Sequence, residues 1–338
     1  MALSRRNFLM KSSLVAAGLS VGATTVLHAN KNTEEFAGPG LMPPVSEKGP
    51  FRFSVFSKHL QAFNYHELAQ VVAESGFDGV DLTVRAKGHV VPENVEADLP
   101  KALAAAREAG ISIYMIVTLI NDADDPLTER ILKTASSLGI TQYRMDWLYY
   151  DENIPINENL KVIQRKLVKL AKLNEKYKIK GEYQNHSGKY TPNSYFGSAI
   201  WDLHTVLKNI NSPWLGSQYD VMHAHVEGAY SWETGLKLIS PFITSLAVKD
   251  FYWHKKQDKW ATEVVPVGEG MIDFNYYFEL LNRYKIVCPV TMHYEYPMGN
   301  LGKIGYTPTN EDKTEIIGLM KKDLDRVKDM MKVKGLLP

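Results

Sequence analysis

The chain has 338 residues, with 45% apolar and 23% charged side chains, the balance of a soluble globular protein rather than a disordered or membrane-embedded one. A formal net charge of +1 excludes the basic footprint of a nucleic-acid binder and gives no attraction to an acidic membrane surface. The single cysteine, Cys288, excludes an internal disulfide and a cysteine-rich zinc site; set in the apolar run Ile286-Val287-Cys288-Pro289-Val290, it reads as an inert buried thiol.

The first element is a targeting pattern. Ser4-Arg5-Arg6-Asn7-Phe8-Leu9, with Lys11 soon after, precedes a small-residue apolar run from Leu14 to Leu27. This matches a twin-arginine export signal ending near Ala29, and the run is too short and too rich in Gly, Ala, Ser and Thr for a membrane span. The expected organisation is a signal over residues 1–29, a Pro- and Gly-bearing linker over 30–50 and one folded domain over 51–338. The mature chain is expected to be periplasmic or otherwise exported, with no membrane span.

From Phe51 onward short β-rich runs alternate with helical patterns. Strands are predicted at 51–56, 79–84, 111–117, 141–146, 179–185, 214–220, 243–249 and 289–295. Between and after them, helices are predicted at 65–75, 98–109, 127–138, 158–177, 199–210, 232–239, 274–283 and 310–332. In the fourth helix Leu160, Ile163, Leu167 and Leu170 recur at spacings of three and four, one face of a helix. Gly76-Phe77, Gly110-Ile111 and Gly139-Ile140 punctuate the helix-to-strand joints, glycine taking the left-handed cap and an apolar residue entering the strand. Strict alternation demands a parallel sheet. Eight units in about 290 residues predict a closed (β/α)8 TIM barrel rather than an open doubly wound sheet. The segment after the first strand, Ser57-Lys58-His59-Leu60-Gln61, carries no Gly-rich phosphate loop.

A barrel builds its active site where strands end and βα-loops begin. Here those positions are polar: Lys58 and His59, Arg85, Arg144 and Asp146, Glu182 to His186, Asp220 with His223 and His225, Lys249 and Asp250, and His293 with Glu295. Side chains two apart on a strand share a face, which groups Glu182, Gln184 and His186, and separately His293 and Glu295. Taken singly, each also reads as a loop hydrogen-bonder, Arg144 and Asp146 as a salt-bridged layer, and Glu182 as an outward-facing residue. Their convergence is what points to function, since successive buried charged strand ends are costly without a ligand, metal or paired network.

Gln184-Asn185-His186, Asp220-x-x-His223, Val248-Lys249-Asp250 and Val265-Pro266-Val267-Gly268-Glu269-Gly270 followed by Ile272-Asp273-Phe274 resemble the sugar phosphate isomerase/epimerase family of xylose-isomerase-like barrels. The resemblance spans almost all of residues 51–335. It implies a carbohydrate substrate, a divalent cation (Mn²⁺, Zn²⁺, Co²⁺ or Mg²⁺) held by Glu, Asp, His and Glu from strands five to eight, proton transfer beside a polarised carbonyl, and a homodimer, which is common in that family. The chain departs from that ligand set. Gln184 stands for the first Glu, Ala247 for the His, and His293 for the last Glu, with Glu295 two residues on; Asp220 is kept.

Three readings follow. A re-sited shell of Gln184, Asp220 and His293, extended by His223 or Glu295, holds the metal. Alternatively the site works without metal through its histidines, Lys249 and Glu295. Or the barrel binds a sugar without turnover. The expected activity is that of a sugar isomerase or epimerase. Glu295 or His223 is the base, Lys249 the oxyanion stabiliser and His186 a hydroxyl ligand, and Arg144, His59, Asp250 and Trp253 line the substrate site. Export argues for an unphosphorylated or modified sugar, which brings in a lyase or hydratase acting on a keto-sugar glycoside as the alternative enzyme. The abasic-site endonuclease branch is excluded by the near-zero net charge and the missing ligands.

Overall fold

The computed structural model describes residues 51–188 and 195–338. The expected signal at 1–29 and linker at 30–50 lie outside the described residues. Eight parallel strands close into a barrel: β1 (Phe53–Phe56), β2 (Gly79–Thr83), β3 (Ser112–Val117), β4 (Gln142–Arg144), β5 (Lys180–Gln184), β6 (Leu215–Asp220), β7 (Ile243–Val248) and β10 (Val290–Met292). β1 pairs with both β2 and β10, so the sheet has no free edge. Helices α1 (Tyr65–Glu74), α2 (Val95–Glu108), α3 (Pro126–Ser137), α4 (Ile156–Tyr177), α5 (Ile200–Ile210), α7 (Trp232–Ile239), α8 (Phe274–Arg283) and α9 (Asn310–Val333) follow the strands as predicted. The three glycines at the predicted joints have φ of 83° (Gly76), 75° (Gly110) and 84° (Gly139), the left-handed geometry their positions require.

Two elements depart from the alternation read in the sequence. A short helix, α6 (Val221–Gly228), begins on the last residue of β6, with the Asp220 side chain as its N-cap. An antiparallel hairpin, β8 (Asp250–Lys256) and β9 (Lys259–Val265), stands between β7 and α8. Its two-residue turn places Gln257 and Asp258 at φ 47° and 60°, the backbone of a tight hairpin turn built without the usual Asn-Gly or Asp-Gly.

Strand parity divides the core. Outward-facing residues such as Tyr143, Tyr183 and Tyr219 pack under the helices, and Tyr143 Oη donates to Asn174 on α4. The inward face of the barrel is polar at its waist. Glu182 accepts from Gln142 Nε2 at 2.8 Å and from Ser245 Oγ, and Asp81 accepts from Thr291 Oγ1, which lies 3.2 Å from Ser54 Oγ. These side chains are all below 10% exposed, and the inward placement of Glu182 corrects the outward-facing alternative. Burial outweighs the Lys180 and Arg144 charges that act on them, raising the Glu182 carboxyl to about 7 and the Asp81 carboxyl to about 6.

Candidate active site

Immediately above this waist the same inward faces carry charge. Lys249 follows β7 by one residue and shares the face of Ser245 and Ala247. Its Nζ is surrounded by His223 Nε2 at 2.8 Å, Glu295 Oε1 at 3.0 Å and Asp220 Oδ2 at 3.2 Å. Lys249 and Asp220 are essentially inaccessible, whereas the Glu295 side chain is 21% exposed, so the carboxylate forms the solvent side of the cluster.

Local structure explains each position. Asp220 ends β6 and caps α6, accepting from the His223 N–H at 3.1 Å, so the Asp-x-x-His spacing is that of an N-cap and its first helical turn. This turn brings His223 Nε2 back to 3.8 Å from Asp220 Oδ2. Asn185 braces the strand end from beside it: its Nδ2 donates to the Asp220 carbonyl at 3.0 Å and its Oδ1 accepts from the Asp220 N–H at 2.8 Å. An ammonium only donates, so His223 Nε2 accepts from Lys249 and its Nδ1 carries the proton, donated to Ser187 Oγ at 2.8 Å. Neither Asn185 nor Ser187 was given a role from the sequence, although both lie inside the segment that follows β5.

Gln184 is oriented by two neighbours. Arg144 Nη1 donates to its Oε1 at 3.0 Å, and its Nε2 donates to Asp220 Oδ2 at 2.8 Å. The Arg144 guanidinium lies over the Phe56 ring at 4.8 Å and beside the Trp147 ring at 5.6 Å. Trp147, His186 and His223 make a row of rings, with centroids 4.6 Å and then 3.8 Å apart. His186 Nδ1 lies 2.9 Å from the Ser187 carbonyl, which makes Nδ1 the donor and leaves Nε2 as a lone-pair acceptor. His293 packs on Phe56 at 4.8 Å, with Nδ1 3.7 Å from Glu295 Oε1. His59 is edge-on to Phe56 at 5.7 Å, and its buried Nε2 has no hydrogen-bond partner.

The electrostatics follow from burial and pairing. Burial alone would push Lys249 down, but the Asp220 and Glu295 carboxylates outweigh it and set the ammonium above the ordinary lysine value. Burial likewise works against the Glu295 charge, and the Lys249 ammonium nevertheless holds that carboxyl well below the usual range. Desolvation takes His186 and His293 down to about 3 and His59 to about 4, so all three are neutral near pH 7. The site therefore holds the Lys249 ammonium between the Asp220 and Glu295 carboxylates, with the Arg144 guanidinium close by and the neutral His59, His186 and His293 imidazoles and aromatic faces around it.

Two residues expected to line the substrate site lie in other settings. Asp250 accepts from the N–H groups of Phe251, Gly268, Gly270 and Ile272 at 2.8 to 3.3 Å, which pins the base of the hairpin to the loop ahead of α8. The Gly268-Glu269-Gly270 motif supplies this clamp: Gly268 has φ 82°, and a Cβ at Gly270 would overlap the Asp250 carboxylate. Trp253 stands on the hairpin, 40% exposed, with its ring against Phe251. Among the described residues, no three His, Cys, Asp or Glu side chains are grouped to hold a metal ion, and no helix is long and apolar enough to cross a membrane.

The family described as xylose isomerase-like TIM barrel matches residues 69–322 of this chain. Solved structures of the same architecture include D-psicose 3-epimerase with D-tagatose from Clostridium cellulolyticum H10, with a TM-score of 0.61 and 13% identity over 83% of this chain and 99% of that one. The 3-keto-D-glucoside 4-epimerase of E. coli superposes with a TM-score of 0.60 at 13% identity, covering 82% of this chain and 99% of its own. The probable 3-DHS dehydratase of Bacillus anthracis does so with a TM-score of 0.59 at 14% identity, covering 81% and 98%. No curated protein sequence matches the chain.

Proposed function

Because the chain belongs to the xylose isomerase-like TIM barrel family, we propose that it is a sugar isomerase or epimerase that moves a proton next to a carbonyl of an unphosphorylated or modified sugar. The observation that carries this reading is the buried Lys249–Glu295 pair at the C-terminal mouth of the barrel, an ionised carboxylate 3.0 Å from an ammonium. Glu295 is the base. It takes the carbon-bound proton beside the carbonyl, the C–H electron pair becomes the enediolate double bond, and the carbonyl oxygen takes up the negative charge. Lys249 stabilises that oxygen. As the ammonium turns its hydrogen bond toward the developing oxyanion, Glu295 loses its counter-charge and becomes a stronger base when the proton must be taken. Return of the proton to the adjacent carbon, with the neighbouring hydroxyl's proton passed to the former carbonyl oxygen, completes an isomerisation; delivery of a proton to the opposite face of the same carbon by a second donor, with the carbonyl re-formed, completes an epimerisation.

His186 Nε2, a neutral acceptor, suits a sugar hydroxyl, and the Trp147 ring beside it suits a sugar face. His59 and Arg144 complete the substrate side of the pocket in this reading. The twin-arginine pattern at residues 4–9 supports action outside the cytoplasm, where free phosphorylated sugars are scarce.

The dehydratase among the structural neighbours favours a second reading on the same atoms, in which proton abstraction expels a leaving group from a keto-sugar glycoside. Incubation with ketoses, aldoses and 3-keto-glycosides in D₂O separates the possibilities. Deuterium at the carbon beside the carbonyl without release of an aglycone supports the isomerase or epimerase, and aglycone release supports the lyase. Saturable sugar binding with no exchange, identical in the Glu295→Gln variant, leaves a sugar-binding barrel and overturns both.

A further inference from the structure

We propose that the Lys249 ammonium occupies the position of a divalent cation in this barrel, so that the site has its cation built into the chain and binds no divalent metal. Three independent observations converge on it. The first is coordination. Lys249 Nζ has three N–H groups and three acceptors, His223 Nε2, Glu295 Oε1 and Asp220 Oδ2, at 2.8 to 3.2 Å from the ends of the two strands, β6 and β10, that flank β7. These are ammonium distances; a divalent metal draws its oxygen and nitrogen donors in to about 2.0–2.6 Å and needs at least four of them.

The second is the donor set around that point. Ala247, fully buried, shares the inward face of Ser245 and Lys249 and pairs in register with Asp220 and Thr291, so a methyl group stands where the barrel interior faces the cluster. Gln184 offers its N–H, not its oxygen, toward Asp220, because Arg144 Nη1 holds Oε1 at 3.0 Å. A donor hydrogen aimed into the cluster repels a metal ion and suits a carboxylate already shared with an ammonium.

The third is charge. Lys249 already stands against Asp220 and Glu295, and Arg144, Arg85 and Lys58 add positive potential around the same carboxylates. Adding a divalent cation would leave two uncompensated positive charges in a desolvated site. Gln184 and Ala247 thus withhold a charge and a ligand from the cluster, and Lys249, which the matched motif keeps, fills the space between Asp220 and Glu295 with its ammonium. The inference concerns metal binding alone and stands whether the pocket turns over a sugar or only binds one.

The test is a titration of the full chain with Mn²⁺ and with Zn²⁺, followed by calorimetry and, for Mn²⁺, by electron paramagnetic resonance, with elemental analysis of the purified protein. The expected result is no stoichiometric metal as purified and no saturable binding to the wild type. The variant Lys249→Met/Gln184→Glu/Ala247→His, checked for native circular dichroism, is expected to take up one equivalent of Mn²⁺. One equivalent bound to the wild type and lost in Asp220→Ala overturns the proposal. So does a folded triple variant that still binds no metal. If the triple variant does not fold, the wild-type titration with its Asp220→Ala control decides alone.

Discussion

The waist and the mouth of this barrel both bury carboxyl groups, and they keep them in opposite states. At the waist the carboxyls of Glu182 and Asp81 hydrogen-bond to neutral groups (Gln142, Ser245, Thr291), and burial outweighs the Lys180 and Arg144 charges, raising them to about 7 and about 6. At the mouth Glu295 meets Lys249 at 3.0 Å and is held well below the ordinary carboxylate value. One layer of side chains separates an acid that keeps its proton near neutrality from one that has none to give. Glu295 also lies nearer solvent, but the sharper difference is the ammonium hydrogen-bonded to it, which keeps that carboxyl ionised.

The comparison is broken most directly by Lys249→Met. Removing one partner of a buried charge cluster leaves Asp220 and Glu295 uncompensated, with an expected loss of about 3–5 kcal/mol of stability in urea unfolding at pH 7. Turnover, in the proposed reaction, is expected to fall by roughly a hundred- to a thousandfold with loss of the oxyanion partner. The same variant makes the mouth resemble the waist: infrared or carbon NMR titration of Glu295 should show its pKa moving up, toward the range of Glu182. A Glu295 pKa unmoved by Lys249→Met contradicts the account.

The waist sets the next effect. Glu182 has a folded-state pKa of about 7, above its ordinary value of 4.5, so between those pH values the folded chain holds a proton that the unfolded chain releases. The stabilisation is fully present below pH 4.5 and is lost as pH rises through 7, amounting to about 3 kcal/mol. Urea unfolding at pH 5 and pH 8 measures it; Glu182→Gln is expected to flatten that difference, and an unchanged slope in the variant rejects the assignment.

A smaller effect tests the frame around the mouth. Gly270→Ala sets a methyl group against the Asp250 carboxylate and should destabilise by about 1–3 kcal/mol, with faster amide exchange at Gly268 and Ile272. The smallest is a control on polarity. Ser187→Ala removes the acceptor of the His223 Nδ1 proton and leaves the orientation of the imidazole to Lys249 alone. We expect a loss of activity of about fivefold to tenfold and little change in melting temperature; a wild-type rate would show that Lys249 alone fixes that ring.

Much of this architecture is legible in the sequence because it rests on local signals. Periodicity gave every barrel strand, and Gly76, Gly110 and Gly139 marked joints where only a left-handed residue fits. The hairpin 250–265 was missed because its turn is Gln257-Asp258, with no glycine to announce two positive φ values. Helix α6 was missed because Asp220 serves at once as strand end, cap and cluster member, and the strand reading absorbed it. Polar strand ends were visible as a set, but which atom faces which was not. Whether Gln184 turns its oxygen or its nitrogen to Asp220 depends on Arg144, forty residues away in the chain and on the neighbouring strand. The contacts of Lys249 with Asp220 and Glu295 are equally a product of strand order, β7 lying between β6 and β10.

The Asp250 clamp has a further consequence for how this protein is able to change. The segment from Asp250 to Ile272 is tied to itself by four bonds to one carboxylate, and its hairpin extends away from that knot. Such a segment is a cassette. Its tip at Gln257-Asp258 tolerates lengthening, grafting or exchange while the knot keeps its roots in place, so the rim beside Lys249 is free to diversify at a rate that the cluster beneath it does not share.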